Sequence, residues 1–205
     1  GISGYLDTES PVSREKLMRM TNVIRHRGPD DEGYALIGPA RSTFYRGDDT
    51  VVGLNLPHLM EQDGQTAFLG FGHRRLSILD LSIAGHQPMH WAEQDLTLTY
   101  NGEIYNYIEL RKELEQDGYT FHTDSDTEVL LYSYSKWGED CLSHFNGMWG
   151  FALWDGRKRK LFCARDRLGA KPFHYYQKGN KFLFSSELKQ ICQDDELSLQ
   201  FNRSY

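Results

Sequence analysis

Cysteine is scarce: the 205 residues contain three, Cys141, Cys163 and Cys192. An odd number at wide spacing fits neither a disulfide framework nor a zinc cluster, and it suits a reducing cytoplasm. No run approaches the ~18 consecutive apolar residues of a membrane-spanning helix, so no membrane partner is expected. The opening stretch from Gly1 to Asp7 lacks the basic start and apolar core of a secretion signal, which again points to the cytoplasm. Basic residues are outnumbered, 23 Lys and Arg against 29 Asp and Glu, for a net charge of −6. Without a long basic run, a nucleic-acid partner is not expected. Neither a G-x-x-x-x-G-K-[ST] phosphate loop nor a G-x-S-x-G elbow occurs. The eight histidines, His26, His58, His73 and His86 among them, show no metal-ligand spacing, so a metal site is not expected. What is present is ordinary for a folded domain: 39% apolar residues, 13% aromatics and 25% charged residues. The length fits one domain or two small ones.

Ser13 is a plausible cap for a first helix from Ser13 to Ile24, with Leu17, Met20, Thr21 and Ile24 on one face. Gly28-Pro29 ends it. Strands are expected over Tyr34 to Ile37, Ala67 to Gly72 and Asp95 to Tyr100. The stretch 47–66 has no period and reads as a long surface loop. Two helices should follow, with capping signatures at Asn106/Glu109 and Ser125/Glu128. Asp155-Gly156 and Lys178-Gly179-Asn180 read as hairpin turns within a run of strands. A short helix, Glu187 to Cys192, closes the pattern. Strands and helices fall in separate runs, which predicts an α+β fold with a largely antiparallel sheet.

Two polar clusters sit at strand ends: His73-Arg74-Arg75-Leu76-Ser77-Ile78 and Tyr100-Asn101-Gly102-Glu103-Ile104-Tyr105-Asn106. Asn101-Gly102 sets an amide side chain beside an uncluttered backbone N–H, a pair able to stabilise an oxyanion. The same dipeptide is a common turn. Arg75 could hold a carboxylate as a bidentate partner or sit in a surface salt bridge. Asp126 could be a recognition carboxylate or belong to a helix cap.

The ordered set of motifs is more specific than any one of them. It runs Gly1-Ile2-Ser3-Gly4, Arg25-His26-Arg27-Gly28-Pro29-Asp30, His73 to Ile78, Gly85-His86-Gln87-Pro88-Met89 and Tyr100 to Asn106. It continues with Thr123-Asp124-Ser125-Asp126-Thr127-Glu128, Asn146 to Asp155, Arg165 to Pro172 and Ser185-Ser186-Glu187-Leu188-Lys189. The whole resembles the class II glutamine amidotransferase domain of the asparagine synthetase family, over residues 1–205 apart from an apparent insertion at 47–66. The resemblance implies an N-terminal nucleophile hydrolase fold, a four-layer αββα sandwich of two antiparallel sheets flanked by helices. It also implies glutamine hydrolysis through a cysteine thioester, with the free amino group of that cysteine as base. By the same resemblance Asn101 and Gly102 form the oxyanion hole. Arg75, with backbone groups near Leu76 and Ile78, takes the substrate α-carboxylate, and Glu103 and Asp126 take its α-ammonium group.

The family begins Cys-Gly-Ile, so the nucleophile is expected immediately before Gly1. A modified cysteine, a cut or altered chain, and a domain that binds glutamine without hydrolysing it are all open. Cys141, Cys163 and Cys192 match no nucleophile motif and read as packing residues. The Ser-Gly-Gly-x-Asp-Ser loop of the family's ATP-dependent synthetase domain does not occur. The expected protein partner is therefore a synthetase domain or subunit, to which ATP and magnesium belong, with no cofactor in this domain. A homodimer is left open.

Overall fold

Ten strands are found among the residues that this computed structural model describes, 1–61, 64, 66–77 and 83–197. They are β1 (Ile2–Asp7), β2 (Asp31–Ile37), β3 (Ser42–Arg46), β4 (Leu69–Arg75), β5 (Met89–Trp91), β6 (Leu96–Ile104), β7 (Gly147–Asp155), β8 (Lys160–Arg165), β9 (His174–Lys178) and β10 (Lys181–Ser185). The α-helices are α1 (Arg14–Asn22), α2 (Tyr107–Gln116), α3 (Asp126–Trp137), α4 (Cys141–His144) and α5 (Leu188–Ile191). One sheet has the order β3-β2-β4-β1-β10-β9 and the other β5-β6-β7-β8, with every neighbouring pair antiparallel.

Three hydrophobic clusters fill the three spaces between layers. Leu17 and Met20 of α1 pack on Tyr5, Tyr34 and Leu36 of the six-stranded sheet. Ile2, Ala35, Ile37, Leu69, Phe71 and Phe184 of that sheet meet Ala152 and Trp154 of the four-stranded one. Leu98, Tyr100, Phe151 and Leu153 pack on Leu110, Leu114, Val129 and Leu130 of α2 and α3. The result is the αββα sandwich, each sheet burying both faces.

Alternation along β4 shows how the layers are held. Leu69 and Phe71 face the other sheet. Gly70 and Gly72 face α1, where a Cβ would come within 2.9 Å of Val12 and 2.0 Å of the Thr21 hydroxyl respectively. Glycine at these positions lets the helix lie directly on the strand. The Thr21 hydroxyl then bonds Ser3 Oγ at 2.8 Å. His73 and Arg75 continue the Leu69–Phe71 face to the open end of the sandwich.

Most expected elements are present. Ser13 caps α1 by accepting from Lys16 N–H at 3.2 Å; α1 ends at Asn22, two residues short of the expected Ile24, and a short 3-10 turn at Arg25–Arg27 follows. Both hairpins lie where Asp155-Gly156 and Lys178-Gly179-Asn180 placed them. Three strands were not anticipated. β1 is buried on both sides and so lacks polar alternation, β3 is an edge strand, and β5 has three residues.

Two expectations are corrected. Asn106 does not cap α2 through its side chain. Its amide instead bridges two backbone groups, donating to His144 O and accepting from Asn146 N–H, both at 2.9 Å. The stretch 47–66, where described, is pinned to the six-stranded sheet and is not a plain surface loop. Asp49 N–H donates to Glu32 and Val51 N–H to Asp31, the Asp49 carboxylate meets Arg74 at 2.8 Å, and Leu59 is fully buried. The reason is charge: Arg74, buried against Glu32 at 2.8 Å, gains a second carboxylate from this segment. Among the described residues no helix is long and apolar enough to cross a membrane.

Candidate active site

At the open end of the sandwich a cavity of about 250 Å³ is lined by residues from both sheets and from α3. Arg75 closes β4 and Gly1 precedes β1, while Asn101, Gly102 and Glu103 lie near the end of β6 and Asp126 opens α3. Leu76 also lines the cavity, and Ile78 lies outside the described residues. Arg75, Leu76, Asn101, Gly102, Glu103 and Asp126 are therefore gathered in one place. None of the three cysteines lines it. Burial pushes the thiols of Cys141 and Cys163 up to about 12.

The local alternatives are decided by geometry. Asn101-Gly102 is not a turn, since β6 runs through both residues and pairs them with Gly150 and Trp149 of β7. A Cβ on Gly102 would lie 2.4 Å from Met148 O and 2.7 Å from Trp149 Cα, so only glycine fits beside β7. The Asn101 Nδ2 is buried with no hydrogen-bond partner among the described residues, an uncommitted donor at the cavity wall. The cap of α3 is Ser125, which accepts from Thr127 N–H at 3.2 Å. Glu128 does not complete a capping box but accepts from His122 and Thr123 N–H. Asp126 is thus released from capping. Its Oδ2 accepts from the Tyr100 hydroxyl at 2.7 Å and from Ile104 N–H at 2.9 Å. Arg75 is largely buried, and its guanidinium lies against Gly85, where a Cβ would fall 2.1 Å from Nη2.

The cations Arg27, Arg74, Arg75 and Lys171 and the carboxylates Glu103 and Asp126 all line the cavity. Arg74 and Arg27 have carboxylate partners, Glu32 and Glu187. Gly1 is held by a reciprocal pair, its nitrogen donating to Arg74 O at 2.5 Å and its carbonyl accepting from Arg74 N–H at 2.8 Å. An amino group at that nitrogen is held down to about 4, first by burial and then by Arg27, Lys171 and Arg74. Burial likewise keeps His73 neutral, its pKa well below the usual range. Its Nε2 bonds the Tyr100 carbonyl at 3.1 Å, so the ring proton sits on Nε2.

Burial raises the Asp126 carboxyl above its ordinary value of 3.8. A raised acid pKa means the folded state binds protons more tightly, so stability falls as pH rises through the interval from the ordinary to the raised value. At neutral pH the ionised Asp126 therefore costs stability. Asp126→Asn retains an acceptor for Tyr100 and removes the charge. We expect urea unfolding to show it at least as stable at pH 7, with a flatter acid-side dependence. A loss above about 2 kcal/mol, large for a single substitution, would show that the carboxylate is a net stabiliser.

A family model described as a glutamine amidotransferase domain matches residues 61–205. The chain belongs to the glutamine amidotransferase domain family. The glutamine-hydrolyzing asparagine synthetase 3 of Bacillus subtilis is 39% identical over 208 residues, covering 100% of this chain and 29% of that protein. Asparagine synthetase 1 of the same organism, also glutamine-hydrolyzing, is 40% identical over 183 residues, covering 88% and 24%. The amidotransferase domain thus spans about a quarter to a third of the length of these relatives. The solved glutamine phosphoribosylpyrophosphate amidotransferase from B. subtilis, complexed with ADP and GMP, superposes with a TM-score of 0.74. It does so at 21% identity, over 93% of this chain and 42% of that one, a likeness of fold.

The amidotransferase cavity also contains residues to which the sequence assigned no role: Arg27, His73, Gln87, Tyr100, Thr127 and Lys171. All six lie inside the ordered motifs. Their roles depend on contacts between segments far apart in the chain, which spacing along the sequence does not encode.

Proposed function

We propose that this domain hydrolyses the side-chain amide of glutamine to glutamate and ammonia, using a cysteine joined to the nitrogen of Gly1. The observation that carries the reading is the convergence of Gly1, Arg75, Asn101, Gly102, Glu103 and Asp126 on one cavity. A residue attached to Gly1 starts at the cavity wall, since Gly1 itself lines the cavity. Arg75 takes the α-carboxylate of glutamine, and Asp126 and Glu103 take the α-ammonium. A zwitterion bound in this way is fixed at both charges and directs its side chain along the cavity. The free α-amine of that cysteine lies beside its own thiol and can take the thiol proton.

The thiolate attacks the amide carbon, and the developing oxyanion is received by Asn101 Nδ2 and Gly102 N–H. The C–N bond breaks as the protonated amine returns its proton to the leaving nitrogen, releasing ammonia and leaving a glutamyl thioester. Water, deprotonated by the same amine, then yields glutamate and the free thiol. Similarity to glutamine-hydrolyzing asparagine synthetases supports passage of the ammonia to an asparagine-synthetase-like, ATP-dependent domain outside this chain.

The test is expression with Met-Cys ahead of Gly1, removal of the initiator, and measurement of glutamate release. A glutamine-like diazoketone should label the new cysteine and none of Cys141, Cys163 or Cys192. A folded sample with a confirmed N-terminal cysteine and no turnover overturns the hydrolase reading. If such a sample still binds glutamine, the domain is a glutamine-binding module.

A further inference from the structure

Tyr100 is held at each of its polar atoms. Its N–H donates to Gln87 Oε1 at 2.7 Å, its carbonyl accepts from His73 Nε2 at 3.1 Å, and its hydroxyl donates to Asp126 Oδ2 at 2.7 Å. All four residues are more than nine-tenths buried. The cause lies in the sheet. β5 pairs with β6 only at Leu96, Thr97 and Leu98. Beyond Leu98, side chains of Gln87 and His73 take the place of a neighbouring strand, and His73 comes from the opposite sheet. Alternation then sends the Tyr100 ring towards α3 and the next residue, Asn101, to the other face.

We propose that Tyr100 is a positioning residue that orients the Asp126 carboxylate for the α-ammonium group of glutamine. The proposal deepens the hydrolase reading and rests on it. The bonds from the Tyr100 hydroxyl and from Ile104 N–H both fall on Oδ2, fixing the carboxylate at the cavity wall. The hydroxyl also favours the ionised carboxylate, opposing the effect of burial and of Glu103. The other titratable side chains lining the cavity are His73, Arg74 and Arg75 on β4, with Arg27 and Lys171.

The test compares Tyr100→Phe with the parent chain by calorimetry, using glutamine and its deamino analogue, 4-carbamoylbutanoate. We expect glutamine to bind about tenfold more weakly, the scale of one hydrogen bond to a charged group, and the analogue to be unchanged. The acid-side loss of glutamine affinity should move to higher pH, because the carboxylate loses a stabilising donor. In an Asp126→Asn background the Tyr100→Phe change should cost nothing further. Equal weakening of both ligands, or unchanged glutamine affinity, overturns the proposal while the hydrolase reading stands. A parent chain that binds no glutamine overturns that reading and the proposal with it. Should Tyr100→Phe fail to fold, 3-fluorotyrosine placed at position 100 keeps the bond with a stronger donor and should move the pH profile lower. An unmoved profile overturns the proposal.

Discussion

Asn101→Ala, made in the chain with a cysteine joined ahead of Gly1, is expected to lose about 10²–10³ in kcat with KM nearly unchanged. The Nδ2 of Asn101 is buried at the cavity wall and has no hydrogen-bond partner among the described residues, which leaves it available to a ligand. An oxyanion exists only in the transition state and the tetrahedral intermediate. A donor aimed at it therefore lowers the barrier without tightening the ground-state complex. The loss corresponds to ~3–4 kcal/mol of transition-state stabilisation. Steady-state glutaminase kinetics measure both constants. A raised KM with normal kcat would instead mark Asn101 as a ground-state contact. The fold should survive, because Asn101 lies within a strand whose backbone pairs with Gly150 and does not depend on its side chain for a turn.

Arg75→Ala is expected to weaken glutamine binding by about 2–5 kcal/mol, since the α-carboxylate would be left without its partner in a largely desolvated site. In dissociation constant that is about 30-fold to a few thousand-fold. Arg75 faces the cavity because strand alternation puts it on the side of Leu69, Phe71 and His73, whereas Arg74 turns to Asn22, Glu32 and Asp49. Two adjacent arginines thus point apart, one lining the cavity and one holding the described part of 47–66 to the sheet. Calorimetry on the chain beginning at Gly1 suffices, as binding does not require the nucleophile. Unchanged affinity would assign Arg75 to a structural role.

Much of this was legible in the sequence because it is carried by local chemistry. Ser13 and Ser125 cap helices through bonds to residues two or three positions away. Asp155-Gly156 and Lys178-Gly179-Asn180 turn the chain by their own backbone preferences. The segregation of strand and helix patterns indicated an α+β fold, and the ordered motifs indicated the amidotransferase family. They also supplied Arg75, Leu76, Asn101, Gly102, Glu103 and Asp126, all of which line the cavity. Local signals misled where a distant partner outbid them. Asn106 sits at the start of α2, yet its side chain serves His144 and Asn146. Segment 47–66 has no period of its own, and Arg74, Glu32 and Asp31 nevertheless hold its described part in place.

By itself, then, the sequence determined the fold class and the family, and through the family's motifs it named residues that line the cavity. These follow from side-chain type, short-range backbone preference and the order of motifs. Only the tertiary structure decided that Asn101-Gly102 is strand and not turn, that Asp126 is free of the helix cap, and that Tyr100 is fixed from three directions. The bonds responsible join residues 13 to 27 positions apart, Gln87 and His73 to Tyr100 and Tyr100 to Asp126. Such pairs meet only when two sheets and a helix close on one another, driven by burial of the apolar faces between them.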